Sequence, residues 1–166
     1  LLHRLGVNSA VGDDLSSVAL GSSSVSLMEI TAAYGTVANG GIAVKPTAVR
    51  STRDRQGDIV WNGVPDRQQA TSPQGAYVLT SLLEGVIQRG TASKAKVLGL
   101  QGMVAGKTGT TDGYRDAWFV GYTSDVVIGV WVGFDDERPL RLTGSQAALP
   151  IWMELARRVI PPNVPA

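Results

Sequence analysis

Gly106-Lys107-Thr108-Gly109-Thr110-Thr111, followed after the polar turn Asp112-Gly113-Tyr114-Arg115 by Asp116-Ala117-Trp118-Phe119-Val120-Gly121, decides how this chain is read. Both segments suit extended backbone. A third, nearly unbroken apolar run from Val126 to Phe134 follows the tight turn Ser124-Asp125. Consecutive strands joined by short turns predict an antiparallel meander. Gly-Lys-Thr also invites a phosphate-loop reading, which requires a glycine five positions before Gly106 and a helix directly after the motif. Position 101 is glutamine, Gly102 is out of register, and Gly109 to Gly113 favour strand and then turn, so a nucleotide site is not the reading. Three residues by themselves would equally suit a solvated lysine on an ordinary edge strand.

The chain has 166 residues, 43% of them apolar, enough for one core and one globular piece. Fifteen basic against fourteen acidic residues, with neither sign in a block, argue against nucleic acid or anionic lipid as partner. There is no cysteine, which removes disulfides and thiolate metal sites, and His3 is the single histidine, which removes a histidine metal cluster or a histidine-dependent triad. No signal peptide is recognisable at Leu1-Leu2-His3-Arg4, and the abrupt start reads as that of an excised fragment.

Elsewhere, Leu1 to Leu5 suggests a helix end stopped by Gly6, with loop to Ser24. Leu27, Ile30, Tyr34, Val37 and Ala38 recur at helical spacing, and Asn39-Gly40-Gly41 supplies a left-handed stop. Ile42 to Thr52 and Asp58 to Trp61 suggest a hairpin with a charged tip, Pro46 confining the first strand to an edge. Ser72-Pro73 opens a helix to Gly90 with Tyr77, Leu79, Leu83, Val86 and Ile87 on its apolar face; Thr91-Ala92 opens a short second helix, and Gly99 to Gly102 a loop into Met103. Ala147 to Ile160 closes the chain as a helix whose stripe Ile151, Leu155, Val159 and nearby Trp152 should cover one sheet face before Pro161-Pro162.

Ala33-Tyr34, Ala38-Asn39-Gly40-Gly41, Arg89-Gly90-Thr91-Ala92, Gly106 to Thr111 and Asp116 to Gly121 together, in this order, resemble the class A (bifunctional, glycosyltransferase-linked) penicillin-binding proteins over roughly residues 20–133. The resemblance implies an α+β, β-lactamase/transpeptidase-like fold, an antiparallel sheet flanked by helices. It also implies that residues 1–166 are the C-terminal portion of one transpeptidase domain, without the N-terminal strands and the nucleophile helix. The implied reaction is serine D,D-transpeptidation of peptidoglycan stem peptides through an acyl-enzyme, with β-lactams as mimics of D-alanyl-D-alanine and with no metal or other cofactor. Lys107 and Thr110 are then the catalytic candidates, and Thr108, Gly109, Thr110 and Thr111 the substrate-binding ones. Lys107 supplies positive potential, the Thr108 and Thr110 hydroxyls donate to the terminal carboxylate, the Thr110 N–H serves the oxyanion, and Gly109 admits the substrate backbone. The parent protein is expected outside the cytoplasmic membrane, held by an N-terminal segment. A non-catalytic β-lactam sensor or scaffold of the same fold is the alternative, and a hydrolase of the superfamily a third.

The family's Ser-x-x-Lys and Ser-x-Asn elements are not evident. Ser93-Lys94-Ala95-Lys96 is the one formal match to the first, in a segment that the resemblance already explains as helix and loop, and Ser-x-Asn does not occur. Asp116 is expected to fix the turn by bonding backbone N–H groups, Trp118 to pack on a sheet face, Trp131, Trp152 and Tyr34 to be core, Tyr114 and Arg115 to be exposed near the cleft, Arg138 and Arg141 to be solvated, and Glu29, Glu84 and Glu154 to lack partners at carboxylate-pair spacing. A three-stranded piece would leave an open edge and an uncovered apolar face, conditions that favour self-association or dependence on the missing half of the domain.

Overall fold

The computed structural model of the protein describes residues 1–12, 16, 18, 21, 23–98 and 104–160. Leu2–Leu5 make one 3-10 turn closed by Gly6 at φ 99°, so the expected helix end is a single tight turn. Ser16 and Val18 have helical backbone where composition predicts loop.

Helix α1, Leu27–Ala38, begins in a capping box: the Ser26 hydroxyl accepts from the Glu29 N–H, and the Glu29 carboxylate accepts from the Ser26 N–H. The same carboxylate also accepts from the Asn8 N–H at 2.8 Å, the Ser9 N–H at 2.9 Å and the Ser9 hydroxyl at 2.6 Å. Glu29, without a partner by sequence spacing, thus clasps the N-terminal segment to α1. No local pattern reveals a partner supplied by a loop of backbone amides. Gly40 and Gly41, at φ 64° and 89°, end the helix as expected.

The predicted hairpin forms in part. The long first strand divides at Pro46, which has no N–H to give a ladder. Its first piece, β1 (Ile42–Val44), and its second, β2 (Ser51–Arg53), take different partners. β2 pairs with β3 (Ile59–Asn62) as expected, around a tip where the Asp54 carboxylate accepts from the Gln56 and Asp58 N–H groups. β1 pairs instead with β4 (Arg67–Gln69), a polar strand that carries no apolar alternation to announce it.

Helix α2, Pro73–Arg89, starts at Ser72, whose hydroxyl accepts from the Gly75 N–H. Its buried face is Ala76, Thr80, Leu83 and Ile87, whereas Tyr77 and Leu79 are 74% and 41% exposed. The expected face is right at Leu83 and Ile87 and at half-buried Val86 but wrong at Tyr77 and Leu79, because the N-terminal half of the helix approaches the sheet through small residues, with Thr80 Oγ 2.9 Å from the buried Tyr122 hydroxyl. A 3-10 segment, Ser93–Leu98, follows where a short helix is expected. The expected loop at 99–102, residue 103 and the two prolines at 161–162 lie outside the described residues.

The central sheet is the predicted meander: β5 (Ala105–Thr110), β6 (Ala117–Tyr122) and β7 (Val127–Val132), antiparallel in that spatial order. On one face Ala105 and Tyr122 pack with Val37 of α1 and with Ala76 and Leu83 of α2, and half-buried Tyr34 meets Tyr122 edge-on at 6.3 Å. On the other, Phe119, Ile128 and Val130 pack against helix α3, Ala148–Val159, through Leu149, Trp152 and Ala156. Trp152 is core, as expected. Its companions are not: Ile151, Leu155 and Val159 are 51%, 42% and 45% exposed, one position round the helix from the buried stripe. The rotation follows from Trp152, which donates from Nε1 to the Ile128 carbonyl at 3.1 Å and lies so close to Gly121 that a Cβ there would come within 2.9 Å of its ring. Trp131, also expected in the core, is partly exposed.

The connection from β7 to α3 folds back over the start of β6. Leu140 and Arg141 N–H groups donate to the Tyr114 carbonyl, and the Gly144 N–H donates to Thr110 Oγ at 3.0 Å. Gly144 is wedged on the β5–β6 pair; a Cβ would sit 2.5 Å from the Gly109 carbonyl oxygen and also strike that of Trp118.

Two outcomes are expected. Hydrogen bonds from Ser9, then from the Ser26 and Asn8 backbone, pull Glu29 from the ordinary 4.5 to about 2. The folded state therefore binds this proton less tightly than the unfolded chain, so the clasp stabilises fully above pH 4.5 and its contribution is lost as pH falls towards 2. Urea midpoints across that window should fall for the wild type and fall less for Glu29→Gln. Gly144→Ala should lower unfolding free energy by about 1–3 kcal/mol, the usual cost of forced overpacking against backbone, read from denaturant titration.

Candidate active site

Thr111, just past the end of β5, donates its N–H to the Asp116 carbonyl at 3.1 Å. Backbone groups of successive residues in an antiparallel ladder point alternately to opposite sides, so the N–H and C=O of Thr110, Thr108 and Gly106 turn away from β6. Among the described residues no strand pairs with that side, which leaves β5 an open edge.

Lys107 is exposed, with Nζ donating to the outward carbonyl of Thr108 at 2.8 Å. The hydroxyls of Thr108 and Thr110 lie on the face opposite Lys107, since side chains alternate along the strand. Each has a partner behind it. Thr108 Oγ is 2.7 Å from Thr91 Oγ, and Thr110 Oγ accepts from the Gly144 N–H. Gly109 pairs with Trp118, whose Cβ is 3.1 Å from the place a Gly109 Cβ would occupy. The Thr111 hydroxyl, grouped by sequence with the substrate-binding residues, both donates to Asp116 Oδ2 at 3.0 Å and accepts from the Asp116 N–H at 2.8 Å. Its side chain closes the turn.

Asp116 fixes the turn through side-chain partners and not through the backbone N–H groups expected of it. Besides Thr111 it accepts from Trp131 Nε1 at 2.9 Å, so one carboxylate ties the end of β5 to β7 across β6. The Trp118 and Trp131 rings meet beside it at a 56° tilt, centroids 6.3 Å apart. Tyr114, at φ 55°, and Arg115 are exposed on the turn, Arg115 pairing with Glu137 at 3.4 Å across solvent. Arg138 lies 3.9 Å over the Phe134 ring. Glu154 has helix-surface partners, Arg157 and Arg158, and no carboxylate partner among the described residues.

Sequence reasoning missed Thr91 and Gly144. Thr91 sits in the Arg-Gly-Thr-Ala element that carries part of the resemblance, which was a signal; Gly144 lies in a loop with no pattern. Among the described residues no cluster of three or more His, Asp or Glu is placed to hold a metal, and no helix is long and apolar enough to cross a membrane. An apolar groove of about 640 Å³ lies between α1, β1 and β7, lined by Leu27, Met28, Val44, Pro46 and Val127 among others. None of the Lys-Thr-Gly residues borders it.

Comparison with known proteins bears on the family and the fold. Residues 5–156 match the penicillin binding protein transpeptidase domain. Penicillin-binding protein 1A of Aquifex aeolicus is 40% identical over 145 residues, covering 86% of this chain and 20% of that protein. Penicillin-binding protein 1B of Vibrio cholerae is 34% identical over 160 residues, covering 96% and 21%. The chain thus spans about a fifth of the length of these curated relatives. Among solved structures, penicillin-binding protein 1A from Haemophilus influenzae superposes with a TM-score of 0.89 at 21% identity, over 99% of this chain and 31% of that one. The PonA1 protein from Mycobacterium tuberculosis in complex with penicillin V gives 0.78 at 24% identity, over 96% and 48%. These likenesses confirm the β-lactamase/transpeptidase-like α+β fold, and the match across nearly the whole sequence shows that this chain belongs to the penicillin-binding protein transpeptidase domain family.

Proposed function

We propose that residues 1–166 form the C-terminal portion of one serine D,D-transpeptidase domain and supply its Lys-Thr-Gly strand, the nucleophile lying outside this chain. The observation that carries the reading is the open edge of β5, with an exposed ammonium, two hydroxyls and the outward N–H of Thr110 on one short segment. A D-alanyl-D-alanine tail or a β-lactam lies along that edge, backbone to backbone, where Gly109 adds no side chain. Thr108 and Thr110 donate to its carboxylate, and Lys107 raises the local positive potential. The Thr110 N–H stabilises the oxyanion. Thr111 contributes its backbone and its hold on Asp116.

In the reaction, a serine oxygen attacks the penultimate carbonyl while its proton passes to a neighbouring base. The tetrahedral intermediate expels D-alanine, which takes up that proton, and leaves an ester. A stem-peptide amine then attacks the ester and restores the serine. No cofactor is needed. Peptidoglycan stem peptides lie outside the cytoplasmic membrane, so the parent protein works there, anchored by a segment outside residues 1–166. Ser93, exposed on its 3-10 turn with its N–H donating to the Gly90 carbonyl, is a surface serine in this reading.

Fluorescent penicillin tests the assignment. The intact protein should be acylated, and Lys107→Ala should slow acylation by about 10²-fold or more, as for removal of a single oxyanion-stabilising group. Isolated residues 1–166 should take up no covalent label. Stoichiometric labelling of Ser93 would move the nucleophile into this chain, and reversible binding by the intact protein without acylation would identify a non-catalytic ligand-binding module.

A further inference from the structure

The two hydroxyls on β5 differ in what stands behind them. Behind Thr110 is a backbone N–H, which can only donate, so the Thr110 proton is directed away from Gly144. Behind Thr108 is another hydroxyl, Thr91 Oγ at 2.7 Å, and the direction of that bond is open. If Thr108 donates to Thr91, it turns lone pairs towards the open edge. If Thr91 donates to Thr108, the Thr108 proton is released towards the edge.

Thr91 is fixed for this contact by its neighbours. Gly90 is pressed on the last turn of α2, where a Cβ would lie 2.8 Å from the Val86 Cα. Ala92 is completely buried, and its N–H, like that of Gly90, donates to the Val86 carbonyl. The turn between them delivers the Thr91 side chain to β5 with little freedom. Thr108 is the one hydrogen-bond partner of the Thr91 hydroxyl among the described residues.

We propose that Thr91 is a positioning residue for the anionic end of the ligand: its hydroxyl donates to Thr108 Oγ, so that Thr108 presents its proton, and not a lone pair, to a carboxylate on the open edge of β5. A carboxylate accepts and cannot donate, so it selects this orientation, and donation from Thr91 also polarises the Thr108 O–H. With Gly144 behind Thr110, both hydroxyls then become donors towards the same anion. This rests on the ligand orientation under the proposed function.

The experiment uses the intact protein and measures second-order acylation rates for a penicillin and for the same penicillin with its carboxylate as a methyl ester. Wild type should prefer the free acid. Thr91→Val, which keeps the shape and loses the hydroxyl, should reduce that preference about three- to tenfold, the worth of one neutral hydrogen bond, by slowing the acid more than the ester. Thr91→Ser should restore it. Equal slowing of both compounds by Thr91→Val, or no change in either, would overturn the proposal, because a residue that merely packs treats acid and ester alike. Failure of the wild type to be acylated by either would instead overturn the transpeptidase reading itself. Should Thr91→Val unfold, the Thr91→Ser and Thr91→Ala pair decides: rescue by serine with loss of acid preference in alanine supports the proposal, and equal acid preference in the two overturns it.

Discussion

The indole of Trp152 against the backbone of Gly121 is the contact from which the placement of this site follows. An indole can come that close only because residue 121 has no Cβ, and its single donor is satisfied by the Ile128 carbonyl of the next strand. The Phe119 ring meets it edge-on at 5.1 Å, filling the remaining surface over the sheet. Burying a tryptophan in this way is generally worth about 3–5 kcal/mol against alanine, more than any exposed ion pair in the molecule can contribute. This anchor fixes the rotation of α3. The loop leading into α3 then has little choice but to lay Gly144 on the β5–β6 pair and its N–H on Thr110. A packing event on one face of the sheet thereby sets the hydrogen bonding of a hydroxyl at its edge.

The sheet itself was legible because extended-backbone composition, turn residues and short connections agreed across three successive strands. The start of α2 was legible for the same reason of local chemistry, since Ser72 with Pro73 needs nothing beyond a few neighbouring residues, whereas the Ser26–Glu29 capping box of α1 went unread. Helix faces were legible only in part. In α2 and α3 the large apolar residues advertise a stripe, yet Ala76, Thr80, Ala148 and Ala156 mark the closest approach to the sheet, and small residues are silent in a periodicity argument. Partnerships made through backbone amides of distant loops were equally silent, as with Asn8 and Ser9 on Glu29, or Gly144 on Thr110. The polar strand Arg67–Gln69 went unseen because an exposed strand carries no burial pattern to read.

Asp116 shows how a signature residue can be structural and still close to function. Its two oxygens take Thr111 on one side and Trp131 on the other, and its own N–H returns to Thr111. The bond network stiffens the turn beyond β5, so the open edge ends in a fixed geometry and not in a fraying strand. With the Thr111 hydroxyl occupied in this way, the hydroxyls that the segment could offer to a ligand in the proposed site are those of Thr108 and Thr110.

Charge and direction are then divided among the residues of one strand. An exposed ammonium such as Lys107 attracts an anion over a distance but with no preferred angle. Hydroxyls held from behind by Gly144 and Thr91 have the complementary properties, short reach and a set direction. A site built from lysine alone would collect anions without placing them; one built from threonines alone would place them with little to draw them in. Because Lys107 and the two threonines alternate along a single strand, their mutual spacing is set by the backbone repeat, and geometry at the edge depends on the strand being held rather than on any one side chain.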